Sequence, residues 1–200
     1  VEQQKSKNVA VLFNNASHLG FPSDTFDSAL SGFMGWYDCF EFERNEFYQP
    51  DSKAPEIHRV LREGGRFVCC SWEAQEDLAW MEEAMLRHYP QILEDEEYLE
   101  RRPIGMAYEK LAGYQIIFHA AGFRDIAISR ETAEFVSTDE QEWWRQMSAV
   151  GWDTLLAKIE SKGAGQLNWI KEAIFKELQP FKHSDGIHFT KRVFFVSGVK

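Results

Sequence analysis

Asn14-Asn15-Ala16-Ser17-His18-Leu19-Gly20-Phe21-Pro22-Ser23-Asp24-Thr25-Phe26-Asp27 and, about thirty residues later, Glu56-Ile57-His58-Arg59-Val60-Leu61-Arg62-Glu63-Gly64-Gly65-Arg66-Phe67 set the architecture of this chain. The first segment leads out of an apolar run, Val9-Ala10-Val11-Leu12-Phe13, which reads as a buried parallel strand. Pro22-Ser23-Asp24 is turn chemistry, and residues 26–31 read as a second strand ending in Gly32. The second segment sets Ile57, Val60 and Leu61 on one face of a helix predicted over residues 53–63. Gly64, a residue that takes positive φ, is the expected stop, and residues 66–72 form a third strand.

The pattern continues outward. Residues 39–49 mix aromatics with acids, end at Pro50 and stay ambiguous. A helix over 78–89 carries Leu78, Met81, Met85 and Leu86 on one stripe. Another over 108–121 carries Leu111, Tyr114, Phe118 and Ala121, with Gly122 as its stop. A fourth strand covers 124–129. Thr138 is expected to cap the next helix, with Gln141 completing a capping box. That helical region runs towards Ile159 and breaks at Lys162-Gly163-Ala164-Gly165. A helix over 167–178 follows, and the last strand covers 192–199. Strands alternating with helices predict an α/β fold with a largely parallel sheet.

The two opening segments resemble the second half of a class I S-adenosylmethionine (SAM) methyltransferase core. The resemblance is to the broad family that includes the ubiquinone and menaquinone biosynthesis methyltransferases. That family writes the segments as acid-Ala-x-x-Leu-Pro-Phe-x-x-x-x-Phe-Asp and Glu-x-x-Arg-Val-Leu-x-Pro-Gly-Gly-x-Phe. The likeness is most specific over residues 8–72. It implies a Rossmann-like sheet, incomplete at its N-terminal side, whose last strand enters antiparallel. It also implies one domain over 1–200, with a helical lid or insertion over 138–182. Residues 1–8 align with the end of the family's second core helix. Two strands and two helices would precede them, on the order of fifty residues at ordinary βαβ size. Those elements carry the family's Gly-rich loop and ribose-binding acid, and neither is in this sequence.

Ligands of open α/β sheets sit at the carboxyl ends of strands, near the switch in strand order. Two segments fall at such ends. In the family, the acid before Ala accepts a hydrogen bond from the adenine amino group, and Asn15 stands there. Its amide oxygen still accepts such a bond, with the Ala16 backbone amide at the ring edge. The competing reading is a turn Asn that satisfies its own backbone. Ser31, Gly32 and Phe33 resemble the segment beneath the methionine part of the cofactor, where a Gly lets backbone approach closely. Met34, Trp36 and Tyr37 follow as candidate substrate-pocket residues. Of the aromatics in 138–159, Trp143 and Met147 are assigned to a lid over the acceptor, whereas Trp152 and Leu155 are read as packing.

The remaining motifs are negative. Gly163-Ala164-Gly165 follows a helix end rather than a strand, so it lacks the context of a nucleotide loop. The six histidines show no metal-ligand spacing, and no metal is expected. There is no nucleophile elbow and no Cys-His signature, so no catalytic base is named. Methyltransferases that work by holding donor and acceptor in line do not need one.

Composition bounds the function. A net charge of −10 argues against nucleic acid and against an anionic membrane surface. The acidic run Glu94-Asp95-Glu96-Glu97 reads as a solvated face. Three cysteines, two of them adjacent at Cys69 and Cys70, make no disulfide framework, which points to a cytoplasmic chain with reduced thiols. Sixteen Phe and seven Trp suit either a dense core or a pocket for a bulky apolar ligand.

The expected function is SAM-dependent methyl transfer to a small-molecule acceptor. The alternative is a catalytically inert, methyltransferase-like fragment or dimeric interaction module. A homodimer is expected in either case, because the strand at 26–31 would lack one neighbour and expose an edge.

Overall fold

Strand β1 (Phe26–Gly32) lies parallel to β4 (Leu61–Gln75), with Ser28 to Gly32 opposite Arg66 to Cys70. β4 pairs antiparallel with β7 (Gly186–Val199), and β7 pairs antiparallel with β5 (Arg124–Ser137). The sheet order is therefore β1-β4-β7-β5, with the short β6 (Lys182–His183) added to β7. The last strand runs antiparallel between its neighbours, as the sequence reading expects. The architecture is α/β and Rossmann-like, but among the described residues only the β1–β4 ladder is parallel, so the largely parallel sheet expected from the sequence is not what forms, because β7 enters antiparallel between β4 and β5. The computed structural model describes residues 8–96, 99 and 109–200. The expectations placed on residues 1–7, Glu97 and Tyr108 lie outside the described residues.

Helix α1 (Lys53–Val60) buries Ala54, Ile57 and Val60. It ends one turn earlier than the sequence suggests, because Leu61 is extended (φ −74, ψ 145) and already pairs with Phe26. The carbonyls of Arg59 and Val60, orphaned at the helix end, accept from the backbone amides of Asp24 and Thr25. Gly64 does hold positive φ (78°), but inside the strand irregularity between Leu61 and Arg66 rather than at the helix end. Gly65 is the more constrained neighbour. A Cβ there would meet the Arg62 carbonyl oxygen at 2.8 Å and that of Asp27 at 3.2 Å.

Residues 9–13 correct the sequence reading. They form no strand, and Val9, Val11, Leu12 and Phe13 are 67, 92, 64 and 108% exposed. An apolar run becomes a parallel strand only beside a neighbour that takes up its backbone groups, and the described residues offer none. Residues 39–49 resolve into a small hairpin, β2 (Phe40–Glu41) against β3 (Glu46–Phe47).

Helix α2 (Glu76–His88) carries the expected stripe of buried Leu78, Met81 and Met85. Helix α3 (Leu111–Ala120) buries Tyr114 and Phe118, and Gly122 (φ 93°) follows it. With α1, α3 closes one face of the sheet around Phe67, Cys69, Phe118, Phe194 and Val196.

A second core joins α2 to helices α4 (Glu140–Met147), α5 (Asp153–Lys162) and α6 (Ala164–Glu177), and to Ile187 and Phe189 at the start of β7. This helical cap springs from the tip of the β5–β7 ladder, whose outermost pair is Ser137 with Ile187. Its entry is capped one residue later than expected. Asp139, not Thr138, accepts from the Glu142 amide at 2.7 Å, while the Glu142 carboxylate accepts from the Thr138 amide at 2.8 Å. Gln141 instead accepts from Lys171. The break between α5 and α6 is confined to Gly163.

Candidate functional site

Asn15 sits in a tight turn, with its carbonyl accepting from the His18 amide at 2.9 Å. Its side-chain oxygen accepts from the Ser17 amide at 2.9 Å, which is the self-satisfying role of a turn Asn, and one acceptor site of that oxygen remains. The turn is anchored to α1 through Glu56, which accepts from the Leu19 amide at 2.8 Å. The hydrogen bonds from Arg59 are the main reason the Glu56 carboxyl is held down to about 2. Asn15 and Ala16 are therefore fixed to the helix layer. None of their hydrogen bonds reaches Ser31, Gly32 or Phe33.

Ser31, Gly32 and Phe33 end β1 at its carboxyl side, and the Phe33 amide extends the ladder by donating to the Cys70 carbonyl at 3.0 Å. At Gly32, a Cβ would meet nothing closer than Cys70 Sγ at 4.0 Å. The protein's own packing does not demand glycine there, so the bare backbone is available to a ligand. Phe33 holds φ 54°, a left-handed conformation that a bulky L-residue adopts only at a cost.

The next peptide is clamped from both ends. The Gly35 carbonyl accepts from Lys53 Nζ at 2.7 Å, and the Trp36 amide donates to Glu109 Oε1 at 2.9 Å. Lys53 Nζ also reaches Asp38 at 2.5 Å and lies 5.3 Å from the Trp36 ring centroid. Glu109 is 4% exposed, and its other oxygen accepts from Ser71 Oγ at 2.5 Å and from the Tyr114 hydroxyl. A buried carboxyl with three donors on it is a satisfied group, and it fixes the loop after β1 to β4 and α3. Burial first, and the charge of Glu109 second, push the Tyr114 hydroxyl well above the usual phenol range. Burial raises the Cys39 thiol to about 11 and the Cys69 thiol further still. These groups stay protonated at neutral pH, and the thiols are poor nucleophiles.

The predicted pocket residues separate. Trp36 is fully buried, its indole N–H donating to Asp51 at 3.2 Å, so it belongs to the core rather than to a pocket wall. Met34 packs against the same core, and Tyr37 is exposed. Trp143 and Met147, at 1 and 2% exposure, pack inside the helical cap, with the Trp143 ring stacked on Phe189 at 6.0 Å. Trp152 and Leu155 are buried in that same core, in keeping with the packing reading. A groove of about 520 Å³ between the β2–β3 hairpin, the start of α1 and the end of α3 is lined by Phe47, Tyr48, Pro50, Asp51 and Pro55, and by none of the predicted site residues. Sequence reasoning missed Glu109, which stands outside any motif, and Trp72, whose ring stacks on Phe33.

No protein-family model matches this chain, and no curated protein does. Among solved structures, it is similar to the YcgJ protein of Bacillus subtilis, at 16% identity over 94% of this chain and 69% of that one, with a TM-score of 0.45. A SAM-dependent methyltransferase from Thermotoga maritima matches at 15% identity over 96% of this chain and 64% of that one, with a TM-score of 0.40. Phosphoethanolamine N-methyltransferase 2 of Haemonchus contortus, solved with SAM, matches at 17% identity over 93% of this chain and 36% of that one, with a TM-score of 0.38. The strand order and register carry the fold assignment, not these likenesses.

Proposed function

We infer that this chain is built for SAM-dependent methyl transfer to a small-molecule acceptor. The observation that carries the reading is the end of β1. An uncrowded Gly32 and a left-handed Phe33 lead into a peptide clamped by Lys53 and Glu109, at the carboxyl edge of a sheet whose order and antiparallel last strand match the resemblance. Asn15 and Ala16 would meet the adenine edge, and Ser31, Gly32 and Phe33 the methionine part. The cofactor, when bound, supplies a methyl group activated on sulfonium. The chain's own contribution is to hold the acceptor in line, a proximity effect, with the helical cap above the strand ends.

A second reading, a methyltransferase-like interaction module without catalysis, draws support from β1. That strand pairs only with β4 among the described residues, and Leu30 on it is 82% exposed. Both readings include a two-fold homodimer through this edge, as an isologous contact.

Calorimetric titration with SAM separates them. No Gly-rich loop follows a strand among the described residues, so binding is expected to be about a hundredfold or more weaker than a full set of hydrogen bonds would give. It is still expected to be saturable, and to be lost in Gly32→Val. Silence at millimolar SAM would sink the methyltransferase reading and leave the inert module.

A further inference from the structure

The face of the sheet opposite α1 and α3 carries an aromatic cluster that the fold does not need. Phe33 stacks on Trp72 with centroids 4.5 Å apart and planes at 21°. Trp72 meets Phe135 edge-on at 6.4 Å. Phe33 and Phe135 are 49 and 46% exposed. Three neighbouring rings left partly in water forgo burial that a core would use. Phe33 adds backbone strain in order to aim its ring there, and strain of this kind concentrates at ligand sites.

One polar group stands over the rings. Lys191 Nζ lies 5.0 Å from the Phe135 centroid and 5.7 Å from that of Trp72, and it is paired with the buried Asp77 at 2.7 Å. An ammonium has three N–H donors, and Asp77 is the one carboxylate on it among the described residues. Asp77 cancels its charge, and Glu131 stands opposite Val193 in the same register. The site therefore selects for a hydrogen-bond acceptor rather than for net negative charge. Two residues before Lys191 on β7, Phe189 enters the core of the helical cap beneath Trp143. The cluster thus lies where the sheet face runs under the cap, one strand end away from Gly32.

We propose that Phe33, Trp72 and Phe135 with Lys191 form the acceptor platform, and that the acceptor is a flat aromatic molecule carrying a carbonyl or similar oxygen that faces Lys191. This rests on the methyl-transfer reading for its role, but not for its binding chemistry. The ring would lie against the half-exposed rings of Phe33 and Phe135, with Trp72 backing Phe33 from behind, and its oxygen would accept from the Lys191 ammonium, an apolar wall with one placed polar group.

The test is a ligand-observed NMR titration of the intact chain with coumarin, naphthalene and δ-valerolactone. Coumarin has both ring and carbonyl, and the other two have one each. Coumarin is expected to bind at least about tenfold more tightly than either control. Trp72→Ala should remove most of this binding, and Trp72→Phe should restore part of it. Lys191→Met combined with Asp77→Asn, which leaves no buried charge unpaired, should bring coumarin down to the level of naphthalene. Equal binding of all three probes, or coumarin binding untouched by Trp72→Ala in a variant of unchanged circular dichroism, overturns the proposal. SAM titrated separately keeps the two readings apart. Coumarin binding without SAM binding would fail the methyltransferase reading alone, and SAM binding without a coumarin preference would fail the platform alone.

Discussion

The two faces of the central sheet differ in kind, although the same strands build both. On one, Phe67, Cys69, Phe194 and Val196 are at most 2% exposed beneath α1 and α3, and the Phe194 ring meets Tyr114 at 5.0 Å. On the other, the alternating neighbours Val68, Cys70, Val193 and Phe195 stay partly open, and Leu30, Phe33 and Phe135 are largely so. Strands of a sheet that mixes parallel and antiparallel pairs bury both faces when helices cover both. Here the closed face is packed under helices along its length, whereas the other is covered only where Phe189 runs beneath the helical cap.

The sharpest way to break this comparison is to truncate adjacent residues of β7 that point to opposite faces. Phe194→Ala should cost about 3–5 kcal/mol, the range for a buried Phe, which is a large share of the stability of an ordinary domain. Phe195→Ala should cost less than half as much, because its ring is only partly removed from water. Urea denaturation of the two variants measures both. Similar losses would mean that the open face is covered in solution and that the comparison fails.

How far the sequence revealed this arrangement depends on whether a signal was local. The stripe of Leu78, Met81 and Met85, the turn at Pro22-Ser23-Asp24 and the apolar last strand were legible because periodicity and turn chemistry act over a few residues. Residues 9–13 misled because strand formation needs a partner, which no local pattern reports. The α1 stop moved from Gly64 to Leu61 because pairing with Phe26 overrode the glycine's preference. Glu109 was invisible because two of its three partners, Trp36 and Ser71, lie 73 and 38 residues away in the chain, and Tyr114, five residues on, gives no motif by itself. Trp72 is one more aromatic in a strand by local pattern, and what sets it apart, the Phe33 ring stacked on it, comes from a different strand end. For Trp36, Trp143 and Met147, residue type suggested a pocket, and burial places their side chains in packed cores.

A smaller effect on stability, but a visible one on assembly, is expected at the open edge. Leu30→Lys places a charge on a strand edge at a position 82% exposed, a device that natural proteins use to block edge pairing. Stability should stay within about 0.5 kcal/mol, as for most surface changes. The molar mass by light scattering at tens of micromolar should fall from dimer to monomer. A parent chain that is already monomeric at that concentration would remove the dimer from both functional readings.

The smallest expected effect lies where the open face ends, at the base of the helical cap. His188 on β7 is bracketed by two carboxylates, with Nδ1 3.0 Å from Glu134 and Nε2 2.8 Å from Asp185, and its ring centroid lies 4.3 Å from that of His183. Both ring nitrogens donate together only in the imidazolium. The hydrogen bond to Glu134, followed by that to Asp185, raises the His188 pKa above its ordinary 6.5. A raised folded-state pKa contributes stability that is fully present below the unfolded value and is lost as the pH rises through the folded one. The window therefore opens near pH 6.5 and closes above it. Glu134 and Asp185 are 61 and 68% exposed, so solvent screens the pair and the loss should be slight. NMR titration of the His188 ring protons should give a midpoint above 6.5, and Glu134→Gln should lower it. A midpoint at or below 6.5 would mean that the two carboxylates do not hold the imidazolium in solution, and that β5 and the β6–β7 turn are joined there by backbone pairing alone.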